Sequence, residues 1–167
     1  MNNYQFSEIC DVLNGRAYKQ DELLNKGKYP VLRVGNFFSS DRWYYSNLEL
    51  PDDKYCNNGD LLFAWSASFG PKIWDGGKTI YHYHIWKLIP HSDRADKFYL
   101  YYWLKNSVNA LTVGTHGSVM AHMTKSDMVN QTIYLPDLSV QGKIGRILRT
   151  IDEKISINNA INDNLAA

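Results

Sequence analysis

From Ser139 to Leu165 the apolar residues return every three or four positions, at Ile144, Leu148, Ile151 and Ile155, and the same spacing continues through Asn158, Asn162 and Leu165. Steps of four and three in alternation lay these side chains along one seam of a single helix. At about 1.5 Å per residue such a helix is roughly 40 Å long, so if it projects from a compact body much of its stripe must be covered by something else. A lid packed on its own domain is one reading of the stripe, and a coiled-coil seam is the other. The two Asn in the seam favour the coiled coil, because polar seam residues cost stability and fix register or orientation. Gly142 and Gly145 each cost about 1 kcal/mol relative to Ala in a helix interior, so the first turns need packing to hold.

The remaining chain is long enough for one core. It has 167 residues, 44% hydrophobic and 14% aromatic, which fits one domain plus an appendage. No apolar run approaches the roughly 20 residues needed to cross a bilayer, and the start Met1-Asn2-Asn3-Tyr4 lacks the basic and apolar regions of a signal peptide. A cytoplasmic location with no membrane partner is expected. Cys10 and Cys56 provide neither a disulfide framework nor paired metal-ligand spacing and read as reduced packing residues. Residues 1–138 hold 14 Lys and Arg against 14 Asp and Glu, and the remainder 4 against 3. With no broad basic field, a nucleic-acid binder of this composition must rely on local clustering, neutral donors or partner subunits.

Residues Phe6 to Gly15 form an apolar entry segment, and Lys19 to Lys28 a polar loop. Tyr29 to Asn36 predicts a strand ending at Gly35-Asn36, and the loop of Ser39 to Arg42 precedes the aromatic trio Trp43-Tyr44-Tyr45. A turn at Asn57-Asn58-Gly59-Asp60 launches Leu61 to Trp65, an uninterrupted apolar run of strand length. Between Thr79 and Leu88, alternation predicts one strand with His82, His84, Trp86 and Leu88 on a single face. Asp93 is the expected N-cap of a helix through about Asn106, with Phe98, Tyr99, Tyr102 and Trp103 docked on the sheet. Gln131 to Pro136 predicts a last strand closed by proline. The fold class is α+β, a twisted mixed β-sheet body followed by a long C-terminal coiled-coil helix.

Catalytic signatures are missing. Gly-x-Ser-x-Gly, P-loop and Gly-x-Gly-x-x-Gly patterns do not occur, nor does the Asn/Asp-Pro-Pro-Tyr signature of adenine methyltransferases. His82-Tyr83-His84 places two imidazoles on one strand face, but zinc needs three or four ligands and no nearby Cys or carboxylate pattern supplies them. Asp52-Asp53-Lys54 reads as a solvated turn after Pro51. The expectation is a chain without catalysis, metal or cofactor.

A succession of short motifs then carries a family resemblance. Tyr29-Pro30-Val31-Leu32-Arg33-Val34-Gly35-Asn36 comes first, and Gly59-Asp60-Leu61-Leu62-Phe63-Ala64 follows with Ser66-Ala67-Ser68 and Gly70. Gly114-Thr115-His116-Gly117-Ser118 comes next, then Pro136 with Gln141 and Ile144, and finally Leu148 and Ile151-Asp152-Glu153-Lys154-Ile155. In order and spacing, over nearly the whole chain, this resembles half of a Type I restriction-modification specificity (S) subunit. The resemblance implies a target recognition domain at residues 1–138 and a conserved spacer and dimerisation helix at 139–167. Family members carry two such units in tandem with their helices antiparallel; this chain has one, as expected of a half-length subunit or a fragment. A second copy of itself is therefore the expected partner of the seam, and a two-fold dimer would read an interrupted palindrome. The other partners implied are double-stranded DNA, the modification (methyltransferase) subunit and, through the complex, the restriction (nuclease/translocase) subunit. The chain would supply specificity rather than catalysis.

Candidate DNA contacts follow from residue chemistry. Arg33 suits guanine and Asn36 adenine, although a salt bridge or a turn would use either equally well. Ser66, Ser68 and Lys72 should emerge at a strand rim, while His82 and His84 are base readers or satisfied sheet residues. Thr115, His116, Ser118, His122, Thr124 and Lys125 lie where glycines let a backbone approach closely. Tyr44 and Trp74 are stacking candidates that packing would equally explain, and Trp65 reads as core. The expected interface residues are Ile144, Leu148, Ile151, Ile155, Asn158, Asn162 and Leu165, flanked by Ile147 and Ile161. The rival reading is a β-rich carbohydrate- or protein-binding module with a dimerisation helix, motivated by neutral charge and abundant Trp and Tyr; a fragment of a fused methyltransferase is disfavoured by the missing signature.

Overall fold

A computed structural model describes residues 2–38, 42–112 and 123–165, the side chains of 109–112 excepted. The chain opens with β1 (Asn2–Gln5), α1 (Phe6–Ile9) and β2 (Cys10–Asn14). After a polar loop come β3 (Tyr29–Leu32), α2 (Val34–Phe38), β4 (Tyr44–Ser46) and β5 (Tyr55–Cys56). Four more strands follow: β6 (Leu61–Ser66), β7 (Ser68–Ile73), β8 (Thr79–Tyr81) and β9 (Ile85–Pro90). The last elements are α3 (Lys97–Thr112), α4 (Lys125–Val129), β10 (Thr132–Leu135) and α5 (Leu138–Leu165). The expected mixed-sheet body followed by a long C-terminal helix is formed, with the strands divided among three sheets. One is antiparallel, in the order β2-β9-β6-β7; a second, β4-β3-β8-β5, is mixed through the parallel pair β3 and β8; β1 and β10 pair antiparallel.

The apolar run at β6 holds the body together. Successive strand side chains point to opposite faces, so Leu61 and Phe63 enter a core with Phe6, Ile9, Trp86, Leu100 and Ile133, whereas Leu62 and Ala64 enter a second core with Leu32, Phe37, Trp74 and Tyr81. A strand covered on both faces has no polar alternation, and that is why the run reads as continuous. Cys10 and Cys56 are buried in separate cores, and burial pushes both thiols up, Cys56 to about 12.

Three sequence expectations are corrected. The strand expected from Thr79 to Leu88 is broken at residues 82–84 by a turn that carries the chain from the mixed sheet into the antiparallel one. The two strands' alternations happen to be in phase, so periodicity alone ran straight through the junction. The strand at Tyr29 ends at Leu32, and Gly35-Asn36 lies inside the short helix α2 rather than in a turn. The cap of α3 is Asp96, not Asp93: Asp96 Oδ1 accepts from the backbone N–H of Phe98 (3.0 Å) and Tyr99 (2.9 Å). Leu100 and Leu104 are the fully buried residues of α3, Tyr99 and Trp103 pack against the same core, and Tyr102 turns toward α5.

The base of α5 is fixed to the body by a few exact contacts. Gln141 is 1% exposed; its Oε1 accepts from Asp96 N–H at 3.0 Å, and its Nε2 donates to the carbonyls of Arg94 and Pro136 at 2.9 Å each. One turn on, a Cβ at Gly145 would lie 2.8 Å from Asp96 Oδ1 and 2.9 Å from Tyr99 N, so only glycine admits this approach to the start of α3. Two turns further, Asp152 accepts from the Tyr102 hydroxyl (3.0 Å) and pairs with Lys105 (3.4 Å). From Ile151 onward the apolar face is about half uncovered: Ile151 is 47% exposed, Ile155 51% and Ile161 49%. The helix is 28 residues long, about 42 Å at 1.5 Å per residue. Among the described residues, no helix is long and apolar enough to cross a membrane.

Candidate nucleic-acid interface

The turn at residues 82–84 is held from several sides. Gly15 presses on its backbone so closely that a Cβ would collide with the His82 carbonyl. His82 N–H donates to Leu32 O (2.9 Å), Tyr83 N–H to Arg16 O (3.1 Å) and Ile85 N–H to His82 O (2.9 Å), while the Trp65 indole donates to Tyr83 O (2.9 Å). These bonds present His82 and His84 to a cleft of about 350 Å³ whose other walls are Arg33, directly after the end of β3, Val34, Gly35 and Asn36 of α2, and Arg42 and Tyr44.

The cleft is basic without any strong charge on the rest of the chain. Two guanidinium groups and two imidazoles line it, and no carboxylate is among its described lining residues. The Arg33 and Arg42 guanidiniums lie 5.2 Å and 5.3 Å from the centroid of the Tyr44 ring, within cation–π range. Asn36 joins the two arginine segments: its Oδ1 accepts from Arg33 N–H (3.3 Å), and its Nδ2 donates to Arg42 O (2.9 Å). His82 is pushed down to about 4, first by burial and then by the neighbouring His84 and Arg33, so it is neutral at physiological pH. His84 N–H approaches His82 Nδ1 at 3.5 Å, and an acceptor role there leaves the proton on Nε2.

Of the residues singled out from the sequence, Arg33, Asn36, His82 and His84 therefore meet at one place. Ser68 is exposed beside the β6–β7 hairpin tip, where Ala67 takes a left-handed φ of 64°. Ser66 is 2% exposed and faces inward. Lys72 lines a different groove with α3 and α5, 3.8 Å from Asp75. Thr124 caps α4, its hydroxyl accepting from Asp127 N–H (3.1 Å), and Lys125 is exposed next to it. Thr115, His116, Ser118 and His122 lie outside the described residues. Arg42 escaped sequence reading; its one signal is a basic residue directly before an aromatic trio.

The tryptophans do not form a stacking platform. Trp74 and Trp86 are buried, Trp43 packs against Trp74, and Trp65 and Trp103 pack against the larger core. Aromatic abundance, the motive for a sugar-binding module, is thus used mainly in packing. Among the described residues, no three His, Cys, Asp or Glu side chains gather where they could hold a metal ion.

The basic cleft thus sits in a body of three sheets that carries a long, half-uncovered terminal helix. The chain belongs to the Type I restriction modification DNA specificity domain family, which matches residues 1–167. Comparison with curated proteins finds no match. Among solved structures, it is similar to a chain from a study of complex assembly and conformational transition of the type I R-M system (TM-score 0.71, 21% identity) and covers 93% of this chain and 39% of that one. It is also similar to the HsdS subunit from Thermoanaerobacter tengcongensis (TM-score 0.68, 20% identity, 93% and 38% covered). A third similarity is to the S subunit of a Type-I restriction-modification system from M. genitalium (TM-score 0.69, 16% identity, 93% and 40% covered). The chain thus spans about two fifths of the length of these solved chains.

Proposed function

We propose that this chain is a non-catalytic, sequence-specific DNA recognition component of a cytoplasmic Type I restriction-modification complex. Residues 1–138 read one half of an interrupted duplex target, and residues 139–167 set its distance from a second reader and dock the modification subunit, with the restriction subunit joining through the complex. The observation that carries this reading is the cleft at the turn that joins the two main sheets. It concentrates Arg33, Arg42, His82 and His84, with no carboxylate among its described lining residues, on a chain of net charge +1, and local clustering of that kind is what a near-neutral binder of a polyanion needs. Family membership over the full length supports it.

The uncovered seam of α5 supports the second half of the proposal. Ile144, Ile147, Ile151, Ile155, Ile161 and Leu165 are between 36% and 81% exposed, Leu148 lines a groove between α3 and α5, and Asn158 and Asn162 continue the stripe. A second copy of α5, packed antiparallel about a two-fold axis, covers that stripe and places two identical clefts on opposite sides. The test is selection from a random duplex pool by the complex with its modification subunit, with masses measured for the wild type and for Ile151→Glu/Ile155→Glu. An interrupted palindrome and a dimer reduced to monomer by the double substitution are expected. Recovery of no motif overturns the recognition role, and an unchanged mass removes the seam from the interface.

A further inference from the structure

Building on that recognition role, we propose that Arg33 is a guanine reader, held in aim by Tyr44 and Asn36, and that the cleft selects a G·C pair through the major groove. The inventory of hydrogen-bonding groups in the cleft leads there. Arg33 and Arg42 carry N–H donors only, and neutral His82, with Nδ1 turned to His84 N–H, carries a donor at Nε2; the His84 ring and the Tyr44 hydroxyl can each donate as well as accept. Asn36, the side chain best suited to adenine, has both ends of its carboxamide engaged by the backbone of Arg33 and Arg42. Among the described residues, no carboxylate lines the cleft to accept from the amino group of cytosine or adenine. In the major groove, guanine presents two adjacent acceptors, N7 and O6, whereas adenine and cytosine present an amino donor and thymine a single acceptor beside a methyl group. A donor-rich cleft therefore matches guanine.

Arg33 is placed for the bidentate contact. Its side chain is exposed, and among the described residues no carboxylate pairs with it; its guanidinium rests 5.2 Å from the Tyr44 ring centroid. Cation–π attraction holds the guanidinium over the ring without using its N–H donors, so the platform steadies the fork while leaving it unspent. Asn36 is then a positioning residue. Its two bonds tie the Arg33 and Arg42 segments at a set separation, and neither bond touches a base.

A phosphate would satisfy the same donors, and the lysine variant separates the two ligands. Arg33→Lys keeps the charge but loses the planar fork. The experiment uses the full chain in complex with its modification subunit, selecting from a random duplex pool and then measuring affinity against salt for wild type, Arg33→Lys, Arg33→Ala and Asn36→Ala. The expected result is one dominant guanine in each wild-type half-site, with preference there falling about ten- to a hundredfold in both Arg33 variants. The rest of the motif stays, and the lysine variant keeps the wild-type salt slope. Asn36→Ala broadens the same position and no other. A uniform loss of affinity in Arg33→Ala with a shallower salt slope, restored by lysine, makes Arg33 a phosphate anchor and overturns the proposal. Unchanged motifs overturn it as well. A wild-type complex that selects no motif is a distinct outcome, because it overturns the recognition role on which this inference rests.

Discussion

Two glycines three residues apart in α5 make opposite predictions although helix propensity treats them alike. Gly142 has nothing within 4 Å of the position a Cβ would take, so Gly142→Ala gains only the propensity difference of about 0.8–1 kcal/mol. For a chain of this size that raises Tm by about 2–4 °C. At Gly145 the same gain is opposed by a Cβ lying 2.8 Å from Asp96 Oδ1 and 2.9 Å from Tyr99 N. The first atom belongs to the cap of α3 and the second is backbone, so neither yields as the tip of a flexible side chain would. Overpacking of this kind costs about 1–3 kcal/mol, and disturbing the cap adds about 1 kcal/mol. The net for Gly145→Ala is a loss of about 1–3 kcal/mol and a Tm lower by about 2–12 °C. Thermal unfolding followed by far-UV circular dichroism measures both, at one fixed protomer concentration because self-association shifts Tm by mass action. If Gly145→Ala unfolds at or above the wild-type temperature, the close packing of α5 on α3 is refuted; a lower Tm for Gly142→Ala refutes the open surroundings of that position.

Gln141→Ala should be the more damaging change at the same junction. It strands the Asp96 N–H and the Arg94 and Pro136 carbonyls in a buried site, at about 2–4 kcal/mol in urea unfolding; a loss under 1 kcal/mol would mean that water replaces the amide. His82 predicts a pH dependence. Its folded value near 4 lies below the ordinary 6.5, so between these the unfolded chain binds a proton that the folded chain does not, and stability present above pH 6.5 is lost as pH falls toward 4. His82→Asn flattens that part of the profile, and an unaltered profile would show that His82 is not held neutral. His91 works in the opposite sense: the Glu8 carbonyl, then Asp11, raises it, so its contribution is full below 6.5 and disappears as pH rises through the folded value. Its Asn variant therefore changes the profile above 6.5, leaving the acid limb for His82.

What was legible in the sequence was periodicity, and what was hidden was where the chain changes partners. The seam of α5 and the apolar run of β6 each follow from a spacing sustained over several residues. The junction at His82 does not, because two short strands of different sheets meet with their alternations in phase, and only the hydrogen bonds to Leu32, Arg16 and Trp65 reveal the turn. That hidden turn also makes the site. Arg33 and Asn36 lie about fifty residues before His82 and His84 in the chain, and the parallel pairing of β3 with β8, Val31 opposite Ile80 and Leu32 opposite Tyr81, is what makes them neighbours. No local pattern encodes a parallel pairing between distant strands. Asn36 shows the same limit at the level of one residue. Its type suits adenine, but its role depends on a carbonyl six residues away.

On the proposed reading, the junction between body and helix matters as much as the cleft. A spacer sets the distance between two readers only if each reader is rigidly fixed to it. Three of the contacts at the base of α5 converge on one short segment: Gln141 binds the Arg94 carbonyl and the Asp96 N–H, and Gly145 lets the helix backbone reach Asp96 and Tyr99. Asp96 in turn caps α3, whose Leu100 and Leu104 are buried in the same core as Phe63 and Trp86. Trp86 lies on β9, which begins immediately after the His82–His84 turn. Packed helix and sheet therefore link the spacer to the cleft, and no described loop has to carry the connection alone. The pattern Pro136 with Gln141 and Ile144 gains a physical meaning from this: the proline carbonyl and the glutamine amide close the joint, and Ile144 begins the exposed apolar stripe of α5.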